Sequence, residues 1–309
     1  MTLDYKILWI DNEERFFKNH RAYIIDYIES KGFDANITEY MSFDEFKENE
    51  KLVEDQKKYD LFLIDLNLDH GRTGDEIISE IREHVLTDII FYSTELRDVR
   101  LKINENNIEG IYSTSRNPYD FEEKVTDVID VTIKKVQDVN NLRGLIMAEV
   151  SELDRIKKNI IQNFVIDADS NFKKYIKEKI FSGIKQDLES LNCLVKVEDS
   201  ELSYEDIDLS ELLNNFFYDT FKKSRTVYKI KKTKCNEIDF KHEDYLKDVI
   251  AKRNVLAHEE EQVRENGTKY LSYPNGNLLE FNETHCIQIR NDIKKYKKLL
   301  VEIEQKLNE

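Results

Sequence analysis

Two prolines and eight glycines are all that punctuate 309 residues, so little in the chain interrupts helices and long ones are expected. Cysteine is almost as scarce. Cys193, Cys235 and Cys286 are widely spaced and odd in number, which implies neither a disulfide framework nor a zinc cluster. No apolar run approaches the length needed to cross a bilayer, and Met1-Thr2-Leu3-Asp4 lacks the charged and apolar regions of a signal peptide. A soluble, cytoplasmic protein with no membrane contact is therefore expected. What is present is core material: 40% of residues are hydrophobic, with 16 Tyr and 16 Phe, and the length favours two domains.

The net charge of −16 speaks against a nucleic-acid partner until its distribution is considered. Residues 1–130 hold 16 Lys or Arg against 31 Asp or Glu, whereas the remaining 179 hold 31 against 32. The second part also carries a dense basic run, Lys222, Lys223, Arg225, Lys229, Lys231, Lys232 and Lys234. Charge asymmetry of this kind suggests different partners for the two halves. The run reads either as a solvated helix end or loop, or as an RNA-facing patch.

Between residues 5 and 130, short apolar runs (5–10, 36–40, 61–64, 89–92 and 110–114) alternate with helical patterns. Such alternation predicts an α/β doubly wound parallel sheet with helices on both faces, whose chemistry collects at the C-terminal strand ends. Those ends carry Asp11-Asn12-Glu13-Glu14, Asp65-Leu66-Asn67 and Ser93-Thr94. Carboxylates converging from two neighbouring strands suit a hard divalent cation such as Mg²⁺. A hydroxyl at the next strand end can hydrogen-bond a phosphoryl oxygen placed between them.

This first part resembles the receiver domain of bacterial response regulators, over about 130 residues. The resemblance implies a five-stranded, flavodoxin-like fold with Asp65 as phosphoacceptor and Asp11, Glu13 and Asp65 as Mg²⁺ ligands. Ser93 would be the switch hydroxyl, and the phosphodonor a histidine kinase or another donor. The run Gly71-Arg72-Thr73-Gly74 is similar to the loop after the phosphoacceptor. Asn12 stands where a second acid is usual. The fifth-strand Lys of the family is absent, with Arg116 as its candidate substitute, and these departures leave a pseudo-receiver that acts as a docking module as the competing reading.

Residues 121, 125, 128, 129, 133 and 136 form a helical stripe leading to a break expected over 138–143, with Gly144 as punctuation. Beyond it, Ile146, Val150, Leu153, Ile156, Ile160 and Phe164 mark a long helix. Further helices are expected over 172–184, 186–194, 209–223 and 239–258, and a final one carries the stripe Ile289, Ile293, Tyr296, Leu300, Ile303 and Leu307. Pro274-Asn275-Gly276-Asn277 between two short apolar runs predicts a β-hairpin. The expected organisation is a domain over 1–138 and an all-α bundle with a small hairpin over 139–309.

One run in the bundle carries chemistry: Lys252-Arg253-Asn254-Val255-Leu256-Ala257-His258. An Arg can steady phosphate charge and a His can move protons near neutral pH. The spacing Arg253 to His258, with Asn254 following the Arg, is similar to the motif of HEPN domains, a resemblance covering roughly residues 142–309. It implies metal-independent endoribonuclease activity in which the 2′-hydroxyl attacks its own phosphate. His258 would then be general acid or base, Arg253 would stabilise the transition state, and Asn254 shares a helix face with His258. Arg253 and His258 lie about 140° apart on one helix, so two protomers would combine their pairs in a shared cleft. A homodimer is expected, with RNA as substrate and no cofactor for its cleavage.

The combined expectation is a response regulator whose receiver gates a HEPN-type ribonuclease, with stress or anti-phage defence suggested by analogy. The alternative is a noncatalytic signalling adaptor with a pseudo-receiver and a protein- or nucleic-acid-binding bundle. No helix-turn-helix supports a DNA-binding regulator. Glu259, Glu260 and Glu261 add negative charge beside the motif and would repel RNA unless they point away. His20, His70, His84, His242 and His285 show no pairing, and packing or surface roles are expected for them.

Overall fold

The computed structural model describes residues 3–50, 58–68, 78–79, 81–82, 87–105, 110–136, 139–195, 208–214, 218–265, 267–273 and 275–308. The chain divides into two compact units, Met1–Leu145 with Cys286–Arg290, and Ile146–His285 with Asn291–Glu309. Among the described residues no helix is long and apolar enough to cross a membrane.

The first unit is built on five parallel strands: β1 (Asp4–Ile10), β2 (Asp34–Tyr40), β3 (Leu61–Asp65), β4 (Asp88–Ser93) and β5 (Ile111–Ser115). Their order is β2-β1-β3-β4-β5, as expected for a doubly wound sheet. Described helices of this unit are α1 (Glu14–Ser30), α2 (Phe43–Asn49), α3 (Leu96–Glu105) and α4 (Pro118–Val136). Alternation along the strands sorts two cores. Ile7, Trp9, Leu61, Leu63, Ile90 and Tyr92 pack with Phe16, Phe17 and Ile24 of α1 and with Phe121, Val125 and Ile129 of α4. Leu8, Ile10, Phe62, Ile64, Ile89 and Phe91 face the other way, with Phe43 and Phe46 of α2 and Val99 of α3. A period of two therefore buries both faces of the central strands, which is why they read as continuous apolar runs.

The order places β1 beside β3, the point where successive connections turn to opposite sides of the sheet. Ile10 pairs with Ile64, so Asp11, the residue after β1, stands level with Asp65 at the end of β3. The backbone holds these ends in place: Asp11 N–H donates to Tyr40 O, Leu66 N–H to Tyr92 O, and Arg116 N–H to Ser93 O.

The second unit is largely helical: α5 (Val139–Asp167, its first turns in the first unit), α6 (Ser170–Val195), α7 (Leu209–Asn214), α8 (Thr220–Lys234), α9 (His242–Tyr245), α10 (Ala251–His258) and α11 (Glu283–Asn308). The expected stripe of α5 is buried at Ile146, Val150, Leu153, Ile156 and Ile160. Several local expectations are corrected. Gly144 lies inside α5 and ends nothing. The two helices expected over 172–184 and 186–194 are one, because no strong breaker separates them. The helix expected over 209–223 is instead α7 and the start of α8, which Asp219 caps by accepting from the Lys222 N–H at 2.9 Å. Between α9 and α10, Leu246–Ile250 form a π-helical turn, a rare form that shifts the faces of the helix beyond it.

The predicted hairpin is β7 (Lys269–Ser272) paired antiparallel with β8 (Leu278–Glu280), and Gly276 takes the positive φ of 84° that its turn requires. A third strand, β6 (Gln262–Val263), joins this sheet; two residues are too few to announce it in sequence.

Candidate functional site

Two sites follow from the sequence, one in each unit. In the first, Asp11 and Asp65 are both fully buried at adjacent strand ends. The cation between them is Arg116, directly after β5. Its Nη2 lies 3.0 Å from each Asp11 oxygen. Its Nη1 lies 3.3 Å from Glu13 Oε1 and 3.6 Å from Asp65 Oδ2. The guanidinium also stacks on the Phe16 ring, 4.4 Å from its centroid. Arg116 thus ties the acidic cluster that follows the first strand to the carboxylate of the third.

Asp11 is further held from inside the sheet. Glu13 N–H donates to Oδ1 at 2.8 Å, and the Tyr92 hydroxyl donates to Oδ2 at 2.7 Å. Tyr92 in turn accepts from the Trp9 indole N–H at 2.7 Å. Asp65 is less satisfied: Asn67 N–H reaches Oδ2 at 3.1 Å, while Oδ1 is buried with no hydrogen-bond partner among the described residues. Burial, and secondarily the charge of Asp11, push the Asp65 carboxyl up to about 7, while Arg116 and the Asn67 amide pull the other way. Burial also raises Asp11. Ser93 is buried, its Oγ accepting from Asn67 Nδ2 at 3.0 Å. Asn67 therefore links the Ser93 hydroxyl to the strand end bearing Asp65, a contact the sequence did not announce.

The donor set matches a hard cation in kind but not as folded. Each oxygen of Asp11 already accepts from two donors, one of them the guanidinium. The Glu13 side chain is largely exposed and its carboxylate is tied to the pair through Arg116. Among the described residues no cluster of three or more His, Cys, Asp or Glu side chains is placed to hold a metal ion. The run 71–74 lies outside the described residues.

In the second unit, Val255 and Leu256 anchor α10 in the core, while Asn254, Ala257 and His258 are exposed. Arg253 is half-buried; its Nη1 donates to Asn254 Oδ1 at 2.9 Å, and its Nε is buried without a partner among the described residues. His258 is the last residue of the helix. No hydrogen bond or ion pair joins Arg253 to His258 among the described residues. Glu261 is drawn aside by Lys269 at 2.9 Å, which removes part of the expected repulsion.

The basic run occupies α8, not a loop. Lys231 is buried, and Lys222 and Lys223 are half-buried, Lys222 pairing with Asp219. Arg225, Lys229, Lys232 and Lys234 are exposed, with Lys229 3.3 Å above the Tyr175 ring and Lys232 over Tyr228. Only part of the run is therefore available to an anion.

Sequence reasoning missed a buried polar knot in this unit. Lys157 is fully buried; its Nζ lies 2.5 Å from Asp154 Oδ1, 2.6 Å from Thr220 Oγ1 and 3.0 Å from the Tyr245 hydroxyl. Two histidines also have partners: His20 Nδ1 lies 2.7 Å from Glu122, and His242 Nδ1 lies 2.9 Å from Ser224 Oγ.

No protein-family model matches the chain, and no curated protein matches it. Solved structures do resemble its N-terminal part. A CheY-like response regulator receiver domain protein from Methanospirillum hungatei is 16% identical, spanning 42% of this chain and 98% of the other with a TM-score of 0.31. A receiver domain protein from Clostridium thermocellum is 19% identical over 43% of this chain and 98% of its own, TM-score 0.32. The Mn²⁺-bound form of the response regulator Rcp1 is 17% identical over 40% and 91%, TM-score 0.31.

Proposed function

We propose that this protein is a response regulator in which phosphorylation of Asp65 controls an RNA-cleaving helical domain. The observation that carries the receiver reading is the buried Asp11–Asp65 pair at the switch point of the sheet, with Ser93 and Arg116 at the next two strand ends. A histidine kinase or other phosphodonor transfers its phosphoryl group to an Asp65 oxygen, and the donor departs with the bonding electron pair. The added charge and oxygens then draw on Arg116 and the Ser93 hydroxyl, which redistributes the hydrogen bonds of the strand ends.

For the output, the reading rests on α10 and its resemblance to HEPN nucleases. A homodimer sets the exposed His258 of one protomer against the half-buried Arg253 of the other around an RNA phosphate. His258 moves the proton of the 2′-hydroxyl or of the leaving oxygen, and Arg253 neutralises developing charge. The exposed part of the basic run, Arg225, Lys229, Lys232 and Lys234, contacts the RNA backbone.

The test uses purified full-length protein with total RNA, with and without acetyl phosphate, beside His258→Ala and Asp65→Asn. EDTA-resistant cleavage lost in His258→Ala, and altered by acetyl phosphate only when Asp65 is present, supports the reading. Identical background in wild type and His258→Ala rejects the nuclease. A second reading, a noncatalytic adaptor, is favoured by one observation: Arg116 already fills the carboxylate pocket, as a docking module that is never phosphorylated would need. Absence of phosphate incorporation into wild type selects it.

A further inference from the structure

We infer that Arg116 is the resident counter-cation of the Asp11–Asp65 pair, and that a divalent cation enters this site only in exchange for the guanidinium. The inference rests on the reading of this pair as a phosphoacceptor site and deepens it, since it assigns Arg116 a gating role that the sequence resemblance does not supply.

Arg116 Nη2 sits at 3.0 Å from both Asp11 oxygens, astride the carboxylate. A Mg²⁺ ion held by Asp11 would need the carboxylate oxygens that the guanidinium now contacts. The remaining acceptor capacity of Asp11 is taken by Glu13 N–H and the Tyr92 hydroxyl, so no lone pair is left for a metal while Arg116 stays. Nη1 meanwhile neutralises Asp65 from 3.6 Å. Asp11, Asp65 and Glu13 bring three negative charges to Arg116, so it is the occupied Asp11 oxygens, and not an excess of positive charge, that an entering ion meets while the arginine stays. Arg116 has somewhere to go: its Nη1 already pairs with the largely exposed Glu13. Withdrawal would relieve both Asp11 oxygens of the guanidinium and leave Asp65 Oδ1, which has no hydrogen-bond partner among the described residues, as a further ligand atom.

The molecule contains its own reporter. Trp9 is the only tryptophan in the chain, and its indole N–H reaches Asp11 through the Tyr92 hydroxyl, in two steps of 2.7 Å each. A change in what binds Asp11 therefore alters the hydrogen bond of the one indole.

The experiment titrates full-length wild type, Arg116→Gln and Arg116→Lys with Mn²⁺ and Mg²⁺, read by Trp9 emission and by calorimetry. Loss of the adjacent charge is expected to tighten cation binding by about tenfold or more in Arg116→Gln, with Arg116→Lys remaining close to wild type. If Arg116→Gln folds only with the ion present, cation-dependent recovery of its circular dichroism, unneeded in wild type, supports the exchange equally. Binding of equal strength in wild type and Arg116→Gln overturns the inference and leaves the phosphoacceptor reading standing. Absence of binding to any variant, together with no phosphate incorporation from acetyl phosphate, overturns that reading and the inference with it.

Discussion

The Tyr92 hydroxyl donates to Asp11 Oδ2 at 2.7 Å, joining the middle of one buried strand end to the carboxylate at another. Both residues are fully buried, so neither can exchange this bond for water. Tyr92→Phe keeps the ring packed against Phe16 and Phe121 but leaves the Asp11 oxygen one donor short. The expected loss is about 1–3 kcal/mol, the penalty for a buried acceptor deprived of a partner. Urea denaturation would measure it, and the Trp9 emission of the native state should shift as its indole N–H loses the Tyr92 oxygen. An unchanged midpoint would mean that Arg116 alone satisfies Asp11 Oδ2.

Asp65 makes stability depend on pH in a predictable direction. Its carboxyl titrates at about 7 in the fold, because burial and the Asp11 charge disfavour ionisation, whereas an exposed Asp titrates near ~3.9. The folded state therefore keeps a proton that the unfolded chain gives up. Its contribution is complete below about pH 4 and is lost as pH rises through about 7. The span corresponds to an upper bound on the order of 4 kcal/mol. Asp65→Asn should be more stable than wild type at pH 8, with the difference vanishing towards pH 4. Parallel stability profiles for the two proteins would refute this.

How much of this was legible follows from where each residue sits in its pattern. Asp11 and Asp65 stood out because a carboxylate ending an apolar run is anomalous, and the β/α alternation predicted where both would meet. Arg116 was legible as a candidate, but its grip on Asp11 depends on a strand register that one sequence does not fix. Tyr92 was hidden: a tyrosine in the apolar run 89–92 reads as core, and its hydroxyl has meaning only beside a strand that is distant in sequence. Asn67 was hidden likewise, since its amide acts on Ser93, 26 residues away. In the helical unit the apolar stripes located α5, but the cap at Asp219 and the π turn after Tyr245 are backbone events that hydrophobic spacing does not encode. Lys157 follows Ile156 on the edge of a stripe, where a lysine ordinarily reaches solvent. Burial there depends on α8 and α9 supplying Thr220 and Tyr245.

That buried lysine gives a second, opposite pH dependence. Burial lowers Lys157 to about 8, partly offset by Asp154, whereas an exposed lysine titrates near ~10.4. Above pH 8 the folded state sheds a proton that the unfolded state holds until about 10.4, so stability should rise across this window. The full effect is on the order of 3 kcal/mol. Lys157→Met removes the titrating group, and the difference between variant and wild type should change across pH 8–10.4 and be constant below it. Thermal denaturation over pH 7–10.5 tests this, and a constant difference throughout would show that Lys157 stays charged.

The proposed two-protomer arrangement of Arg253 and His258 has a consequence that a single-subunit site does not. Arg253 and His258 lie five residues apart on a regular helix, about 140° around its axis, and no hydrogen bond or ion pair joins them among the described residues. Arg253→Ala and His258→Ala should each lower RNA cleavage by roughly 10²-fold or more. His258 is exposed, so its replacement should change stability by no more than about 0.5 kcal/mol. Co-expression of the two variants produces a mixed dimer in which one protomer keeps Arg253 and the other keeps His258. If the pair works across the subunit boundary, that dimer holds one complete set and cleavage returns to a substantial fraction of wild type. If the pair works within one chain, no complete set exists in any assembly and the mixture stays as inactive as its parents. Differential tags and sequential purification isolate the mixed species, and its rate against the two parents decides between these geometries.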